Sequence, residues 1–313
     1  MYDQCGAVHA PAERMIFVAG LGAPETPRTD PTDGTWLCVE MADDRGCVTR
    51  LDADGLGITV VARTGKPNGL AVDGEGVIWV ANALPTPALL KVTRDGDVET
   101  ARTEVEGRAM LLPNDLCFGP HGLLYMTDSG MLISDWLIDG DIRPDYLTAT
   151  YDGRLYELDL ADQSGRILDE GIRFANGIAF GPDGHLYVNE MITGDIFRYR
   201  FDEGHVTGQR ERVANVMSPT WGGGFRGPDG MAFGADGRLY CTVFGEGSVA
   251  VIGADGMVER RIPTAGRKPT NLAWGPGGDH RLFVTEIEMG CIEIHETQTT
   301  ARSPVLFLRE PRP

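Results

Sequence analysis

Six places along the chain put an oxygen-bearing polar side chain directly before a short apolar run. Carboxylate and amide oxygens are the donors that Ca²⁺, Mg²⁺ and Mn²⁺ prefer, whereas histidine and cysteine suit softer metals. No histidine or cysteine occupies any of the six places. If folding brings these side chains together, they can form a cation site. They are Glu25, Asn68, Asn114, Asn176, Asp229 and either Asn271 or Thr270, and Asp115 directly follows Asn114.

Each of these anchor residues also has a simpler interpretation, because Asn-Gly and Asp-Gly pairs are common turn formers. The two carboxylates, Glu25 and Asp229, argue for more than turns if the side chains converge. Close carboxylates repel each other and one of them tends to take up a proton, whereas a divalent cation favours the ionised form of both. The elements that carry the anchors must decide between the two interpretations.

Those elements repeat along the chain. Each copy has an anchor, a short apolar strand, a glycine-rich turn and a second apolar strand, as in FANGIAFGPDGHLYVNE from Phe174. The turn residues supply the positive φ that a tight hairpin demands. The anchors from Asn68 to Asn271 lie 46, 62, 53 and 42 residues apart, and four-stranded propeller blades run about 40 to 50 residues.

With the copy at Glu25, the repeat predicts an all-β fold, a six-bladed β-propeller with four-stranded blades around a central channel. We expect a single domain over residues 1–313. In a propeller the innermost strands begin at one mouth of the channel, so the anchors should form a ring there. The apolar segments near Glu13 and Ser303 are expected to pair and close the blades into a circle, because an open ring would expose two sheet edges.

The longest step between anchors contains an insertion at residues 130–151. It carries Trp136 and Tyr146, and long loops with bulky side chains are often functional. We expect it to form a lid or a wall of the pocket.

The formal charge of −18 and the pI near 4.7 disfavour nucleic acid and anionic membranes as partners. A small-molecule substrate fits better. The N-terminal residues lack a signal-like apolar stretch, and no run of 18 apolar residues occurs. We therefore expect a cytoplasmic protein that is a monomer or a small homo-oligomer, with its six cysteines reduced and mostly buried.

Four motifs in a fixed order resemble the SMP-30/gluconolactonase/luciferin-regenerating-enzyme family. They are P-E-T-P from Pro24, P-N-D from Pro113, A-N-G from Ala175 and G-P-D-G-M-A from Gly227. The resemblance implies a six-bladed propeller with one catalytic divalent metal ion, most often Ca²⁺, with Mn²⁺, Mg²⁺, Zn²⁺ or Fe²⁺ as alternatives.

The resemblance also implies residue roles. Glu25, Asn176 and Asp229 would bind the metal, and Asp229 would be the general base. Asn114 would contact the substrate or a metal-bound water, with Asp115 as its structural neighbour. Beyond these roles, we expect Asp115 and Asn68 to contact the substrate as well. The reaction would be the hydrolysis of a lactone, in which the metal polarises the carbonyl and Asp229 takes a proton from the attacking water.

Two departures from the family pattern bear on the substrate. The residues before Asn114, Met110 to Pro113, are wholly apolar where sugar-lactone members often carry a basic residue, and the first motif reads P-E-T-P where E-G-P is common. They indicate a less hydroxylated and more apolar lactone or ester. The expected wall residues are Trp136, Tyr146, Trp221 and Phe225.

Three alternatives remain open: a phosphotriesterase-like hydrolase, a family member repurposed in specialised metabolism, and a propeller used only for binding a protein or calcium. A serine hydrolase or zincin is disfavoured, because neither G-x-S-x-G nor H-E-x-x-H occurs. A bare scaffold would have no reason to place a glutamate at one anchor and an aspartate at another.

Overall fold

A computed structural model describes residues 15–202, 205–220 and 223–301. Nearly all of its regular secondary structure consists of short antiparallel strands. After β1 (Met15–Ala19), the first two sheets contain β2 (Pro24–Thr29), β3 (Trp36–Glu40), β4 (Cys47–Leu51) and β5 (Ile58–Arg63), then β6 (Pro67–Val72), β7 (Ile78–Asn82), β8 (Ala88–Val92) and β9 (Val98–Arg102). A small hairpin of β10 (Glu104–Val105) and β11 (Arg108–Ala109) follows.

The third sheet contains an insertion between its second and third strands. Its members are β12 (Pro113–Phe118), β13 (Leu124–Asp128), β16 (Gly153–Leu158) and β17 (Gly165–Ile172), and a 3₁₀ turn, Pro120–Gly122, joins the first two. The insertion holds α1 (Ile133–Trp136) and a hairpin of β14 (Leu137–Ile138) and β15 (Asp141–Ile142).

Three further sheets complete the described chain. They contain β18 (Ala175–Phe180), β19 (Leu186–Glu190), β20 (Asp195–Asp202) and β21 (His205–Asn215); β22 (Gly227–Phe233), β23 (Leu239–Phe244), β24 (Ser248–Ile252) and β25 (Val258–Pro263); and β26 (Pro269–Trp274), β27 (Arg281–Glu286) and β28 (Cys291–Glu296). The six sheets are the blades of a propeller. The predicted fold class is confirmed.

Burial follows strand position within a blade. The second strands are almost wholly buried, as in β3 and β7, because neighbouring blades cover both faces, whereas the outer strands β5 and β9 are largely exposed. One apolar cluster joins β3 and β4 of blade 1 to β6, β7 and β8 of blade 2. The blades thus share their cores in pairs around the ring. The five cysteines in the described part of the chain are unpaired.

The N-terminal strand completes the last blade. β1 pairs with β28, with Met15 opposite Ile294 and Ala19 opposite Cys291. The expected partner near Ser303 lies outside the described residues, and within them the ring closes through the pairing of β1 with β28. Within the described residues, we find no helix with the length and apolarity needed to cross a bilayer.

Candidate functional site

All six inner strands begin alike. A strand pair is interrupted by a bulge just after the anchor, for example between Pro113 and Leu116 and between Pro269 and Leu272. The strands β26 and β27 pair in the same register as β12 and β13, so Thr270 is the equivalent of Asn114. Asn271 is the equivalent of Asp115, one residue further along, which decides between the two expected anchors of blade 6. The anchor ring is therefore Glu25, Asn68, Asn114, Asn176, Asp229 and Thr270.

A second layer of side chains follows the anchor ring. The Asn271 amide Nδ2 lies 3.3 Å from Thr26 Oγ1 and 3.3 Å from Asp115 Oδ2, so residues of blades 1, 3 and 6 meet across the channel. The other three blades have glycine in this layer. A Cβ on Gly69 would lie 2.3 Å from the carbonyl oxygen of Asn114, and one on Gly177 would lie 2.2 Å from that of Asp229.

These glycines lie inside strands, so the turn interpretation of the Asn-Gly and Asp-Gly pairs is wrong. At Gly69 and Gly177 glycine is required because the backbone of the next blade's anchor approaches too closely for any side chain, and a Cβ on Gly230 would lie 2.1 Å from Cγ of the Asn271 side chain.

Three carboxylates are buried at the centre of the ring. Glu25 is 5% exposed, Asp115 1% and Asp229 7%. Burial, and secondly the charge of Asp115, raises the pKa of Glu25 to about 8. Burial, with the charges of Glu25 and Asp115, raises the pKa of Asp229 well above its ordinary value, while a hydrogen bond with the Asn176 side chain opposes the rise. The structure therefore brings Glu25, Asn176 and Asp229 together.

The other anchors have distinct surroundings. The Asn114 amide Nδ2 donates to Ser129 Oγ at 2.8 Å. Asn176 Nδ2 lies 3.5 Å from Met191 Sδ. Asn68 is half-buried, and its backbone carbonyl accepts a hydrogen bond from Thr26 Oγ1 at 3.3 Å.

The second strands supply positioning residues that the sequence analysis missed. Thr127 Oγ1 donates to the carbonyl oxygen of Asn176 at 2.6 Å, Asn189 Nδ2 to that of Asp229 at 2.5 Å, and Thr242 Oγ1 to that of Thr270 at 2.7 Å. Each bond ties the anchor of one blade to the blade before it. Their recurrence in LYMTD, LYVNE and LYCTV is the sequence signal that could have found them.

Acidic residues at the ends of several second strands are also buried, and they accept hydrogen bonds from backbone N–H groups. Asp128 accepts hydrogen bonds from the N–H groups of Leu111, Leu112 and Gly130 at 2.8 to 2.9 Å. Glu286 accepts one from Lys268 at 2.7 Å. These carboxylates fix the segments that enter the inner strands.

The central residues could hold one oxygen-liganded cation. Within residues 15–202, 205–220 and 223–301, no three His, Cys, Asp or Glu side chains form a metal-binding group. Two acids and an amide, Glu25, Asp229 and Asn176, are a different donor set. Burial and mutual repulsion raise the pKa values of both carboxyl groups, and a divalent ion would remove that penalty. The donor chemistry therefore fits a hard divalent cation.

Aromatic side chains form an arc at the same mouth. Because Pro113 pairs with Asp128, the insertion after β13 leaves from the end of the channel where the anchors lie. The ring centroids of Trp136 and Tyr146 each lie 5.2 Å from that of Phe225. The arc consists of Trp136, Tyr146, Tyr151, Phe174, Phe225 and Phe244, which belong to one apolar cluster with Met191.

Three of the four expected wall residues, Trp136, Tyr146 and Phe225, thus lie together, and Trp221 lies outside the described residues. Met191 connects the arc to the centre through its contact with Asn176. A cavity of about 480 Å³ opens beside the insertion, and Leu111, Met131 and Arg143 are among its lining residues.

Comparisons with known proteins agree with this architecture. The sequence model described as "SMP-30/Gluconolactonase/LRE-like region" matches residues 23–288. A gluconolactonase of Zymomonas mobilis is 28% identical over 230 residues, which cover 70% of this chain and 60% of that protein. The pentonolactonase XacC of Haloferax volcanii is 32% identical over 139 residues, 44% of this chain and 45% of that protein.

A solved structure shares the fold. The calcium-binding protein regucalcin of Agrobacterium tumefaciens has a TM-score of 0.75 at 21% identity, over 93% of this chain and 95% of that one. The chain spans only 60%, 35% and 44% of the length of three curated relatives that it matches.

Proposed function

The chain belongs to the SMP-30/gluconolactonase/LRE-like family, and from this premise we propose that it is a metal-dependent hydrolase that opens a lactone ring. The observation that carries the proposal is the meeting of Glu25, Asn176 and Asp229, buried side chains from three blades, at one end of the channel. The names of its relatives, a gluconolactonase and a pentonolactonase, support the reaction class.

Glu25, Asn176 and Asp229 would hold one divalent ion, with Ca²⁺ favoured by the all-oxygen donors and Mn²⁺, Mg²⁺, Zn²⁺ or Fe²⁺ as alternatives. When bound, the ion supplies a Lewis acid for the lactone carbonyl. Asp229 takes the proton of the attacking water, the role that the resemblance to the family gives to the aspartate of the G-P-D-G motif.

Asn114 would orient the substrate. One N–H of its amide is committed to Ser129, so the amide plane is fixed and its carbonyl oxygen is placed by the protein. Asn68 on the preceding blade and Asp115 behind Asn114 complete this side of the ring. Such fixed groups raise the rate by holding the substrate in a reactive orientation.

The aromatic arc favours a lactone or ester with an apolar substituent. Leu111 and the insertion line the neighbouring cavity, and Met110 and Leu112 are each 2% exposed, so no basic side chain enters from the segment before Asn114. The same observation favours a second candidate, a family member that acts on an apolar compound of specialised metabolism.

The experiment combines elemental analysis of the purified protein with a hydrolysis screen over aldonolactones, alkyl-substituted γ- and δ-lactones and aryl esters. We expect turnover that chelator abolishes and a divalent ion restores. Glu25→Gln and Asp229→Asn should each reduce turnover by about 100-fold or more, whereas the matched control Asp255→Asn, in an exposed turn, should not. Full activity of either axial variant would refute the assignment.

A further inference from the structure

One arginine lies in a ring of small side chains inside the channel. Three residues after each anchor, five of the inner strands carry alanine or cysteine and the first carries arginine. The positions are Arg28, Ala71, Cys117, Ala179, Ala232 and Ala273. Small residues on five blades leave room at this level for one long side chain from the sixth.

Arg28 uses that room to reach other blades. Its Nη2 lies 3.6 Å from Asp115 Oδ1 on blade 3, and its Nη1 lies 3.4 Å from the carbonyl oxygen of Leu272 on blade 6. Its charge also influences Cys117, on the same strand as Asp115. The guanidinium therefore reaches from blade 1 into the channel and contacts both blade 3 and blade 6.

Asp115 has no other cation among its described partners. Its side chain is 2% exposed, and it otherwise accepts hydrogen bonds from the Asn271 amide and from the backbone N–H groups of Leu116 and Ile178. An unpaired carboxylate in such a place would be costly. Arg28 supplies the one positive charge that reaches it.

We propose that Arg28 is the fixed counter-ion of Asp115 and so sets the formal charge of the axial site, with its three carboxylates ionised, at −2, which matches one divalent cation. Three carboxylates, Glu25, Asp115 and Asp229, and one guanidinium give this charge. The inference rests on the proposed function, since it concerns the ion that Glu25 and Asp229 would hold. Arg28 is a positioning residue, because it acts on the ion through Asp115 and the local field.

The test measures ion selectivity, using Ca²⁺ and Tb³⁺ as probes. Competition titrations followed by Tb³⁺ luminescence give the ratio of the two affinities. Arg28→Gln makes the site −3 and should raise the preference for Tb³⁺ about tenfold, since one additional unit charge acts more strongly on the trivalent ion. Asp115→Asn makes the site −1 and should lower the preference for Tb³⁺ about tenfold. The double variant Arg28→Gln/Asp115→Asn returns the charge to −2 and should restore the wild-type ratio.

Two controls complete the design. Arg63→Gln removes an exposed arginine of blade 1 that contacts the backbone of Arg45, and it should leave the ratio unchanged. Arg28→Lys keeps the positive charge, so its ratio of Tb³⁺ to Ca²⁺ affinity should stay near the wild-type value. If Arg28→Gln does not fold, Asp115→Asn still tests the inference. An unchanged ratio in both Asp115→Asn and Arg28→Gln overturns the inference and leaves the proposed function standing. If the wild-type protein binds neither ion, both fall.

Discussion

A relay of two hydrogen bonds sets the orientation of the Asn114 amide. Its Nδ2 donates to Ser129 Oγ at 2.8 Å, and Ser129 Oγ donates to the carbonyl oxygen of Ala175 at 3.0 Å. Ser129 therefore fixes which end of the amide can meet a substrate. It also ties blade 3 to the segment that carries Asn176.

Ser129→Ala should lower kcat/KM about tenfold while costing only about 1 kcal/mol of stability, since one buried hydrogen bond is lost and the fold is otherwise kept. Steady-state kinetics and thermal unfolding check the two effects. Ser164→Ala, an exposed serine in the turn between β16 and β17, is the matched control. An unchanged kcat/KM in Ser129→Ala would mean that Asn114 needs no fixed amide.

At the residue scale, the anchors could be predicted because the same short sequence pattern recurs around each of them. Two details of the site could not be predicted from the sequence. The choice between Thr270 and Asn271 depends on a bulge, which shifts the register by backbone geometry that single residues do not specify. The role of Gly69 and Gly177 depends on the close approach of Asn114 and Asp229, which lie 45 and 52 residues further along the chain.

At the scale of elements, the insertion after β13 is the feature most specific to this chain. Its side chains Trp136 and Tyr146 pack on Phe225 of blade 5, so the insertion bridges two blades that are not adjacent in the ring. Tyr146, Phe225 and Phe244 remain half-buried and can still contact a ligand. A pocket wall needs this combination of support and residual exposure.

Tyr146→Ala should raise KM about tenfold for lactones with a long alkyl or aryl substituent, since about 1 to 2 kcal/mol of apolar contact is lost. It should leave an unsubstituted lactone of the same ring size nearly unaffected. Leu147→Ala changes the neighbouring side chain, which is 59% exposed, and serves as control. Equal losses for both substrates would indicate that Tyr146 supports the fold and does not select the substrate.

The hairpins of the blades were predictable because their turn chemistry is local. The pairing of β1 was not, because its partner β28 lies at the opposite end of the chain and several apolar strands fit it equally well. The interblade bonds from Thr127 and Asn189 were missed for the same reason, although both residues recur at one position of the second strand.

For the whole molecule, the buried carboxylates link stability to pH. In metal-free protein the pKa of Glu25 is about 8, against an ordinary value of 4.5. Between these pH values the folded chain binds a proton that the unfolded chain has lost. Stability therefore falls as pH rises through this window, and below about 4.5 the contribution is constant. Asp229, whose pKa is also raised, acts in the same direction.

A cation that binds the ionised pair should oppose this loss, because a ligand specific to the folded state stabilises it. We expect the rise in Tm on replacing chelator with excess Ca²⁺ to be larger at pH 8 than at pH 5, by at least about 2 to 4 °C. Scanning calorimetry in both conditions measures it. Glu25→Gln should flatten the pH dependence in chelator and also weaken the effect of Ca²⁺. An equal rise in Tm on adding Ca²⁺ at both pH values would show that the carboxylates do not bind the ion together.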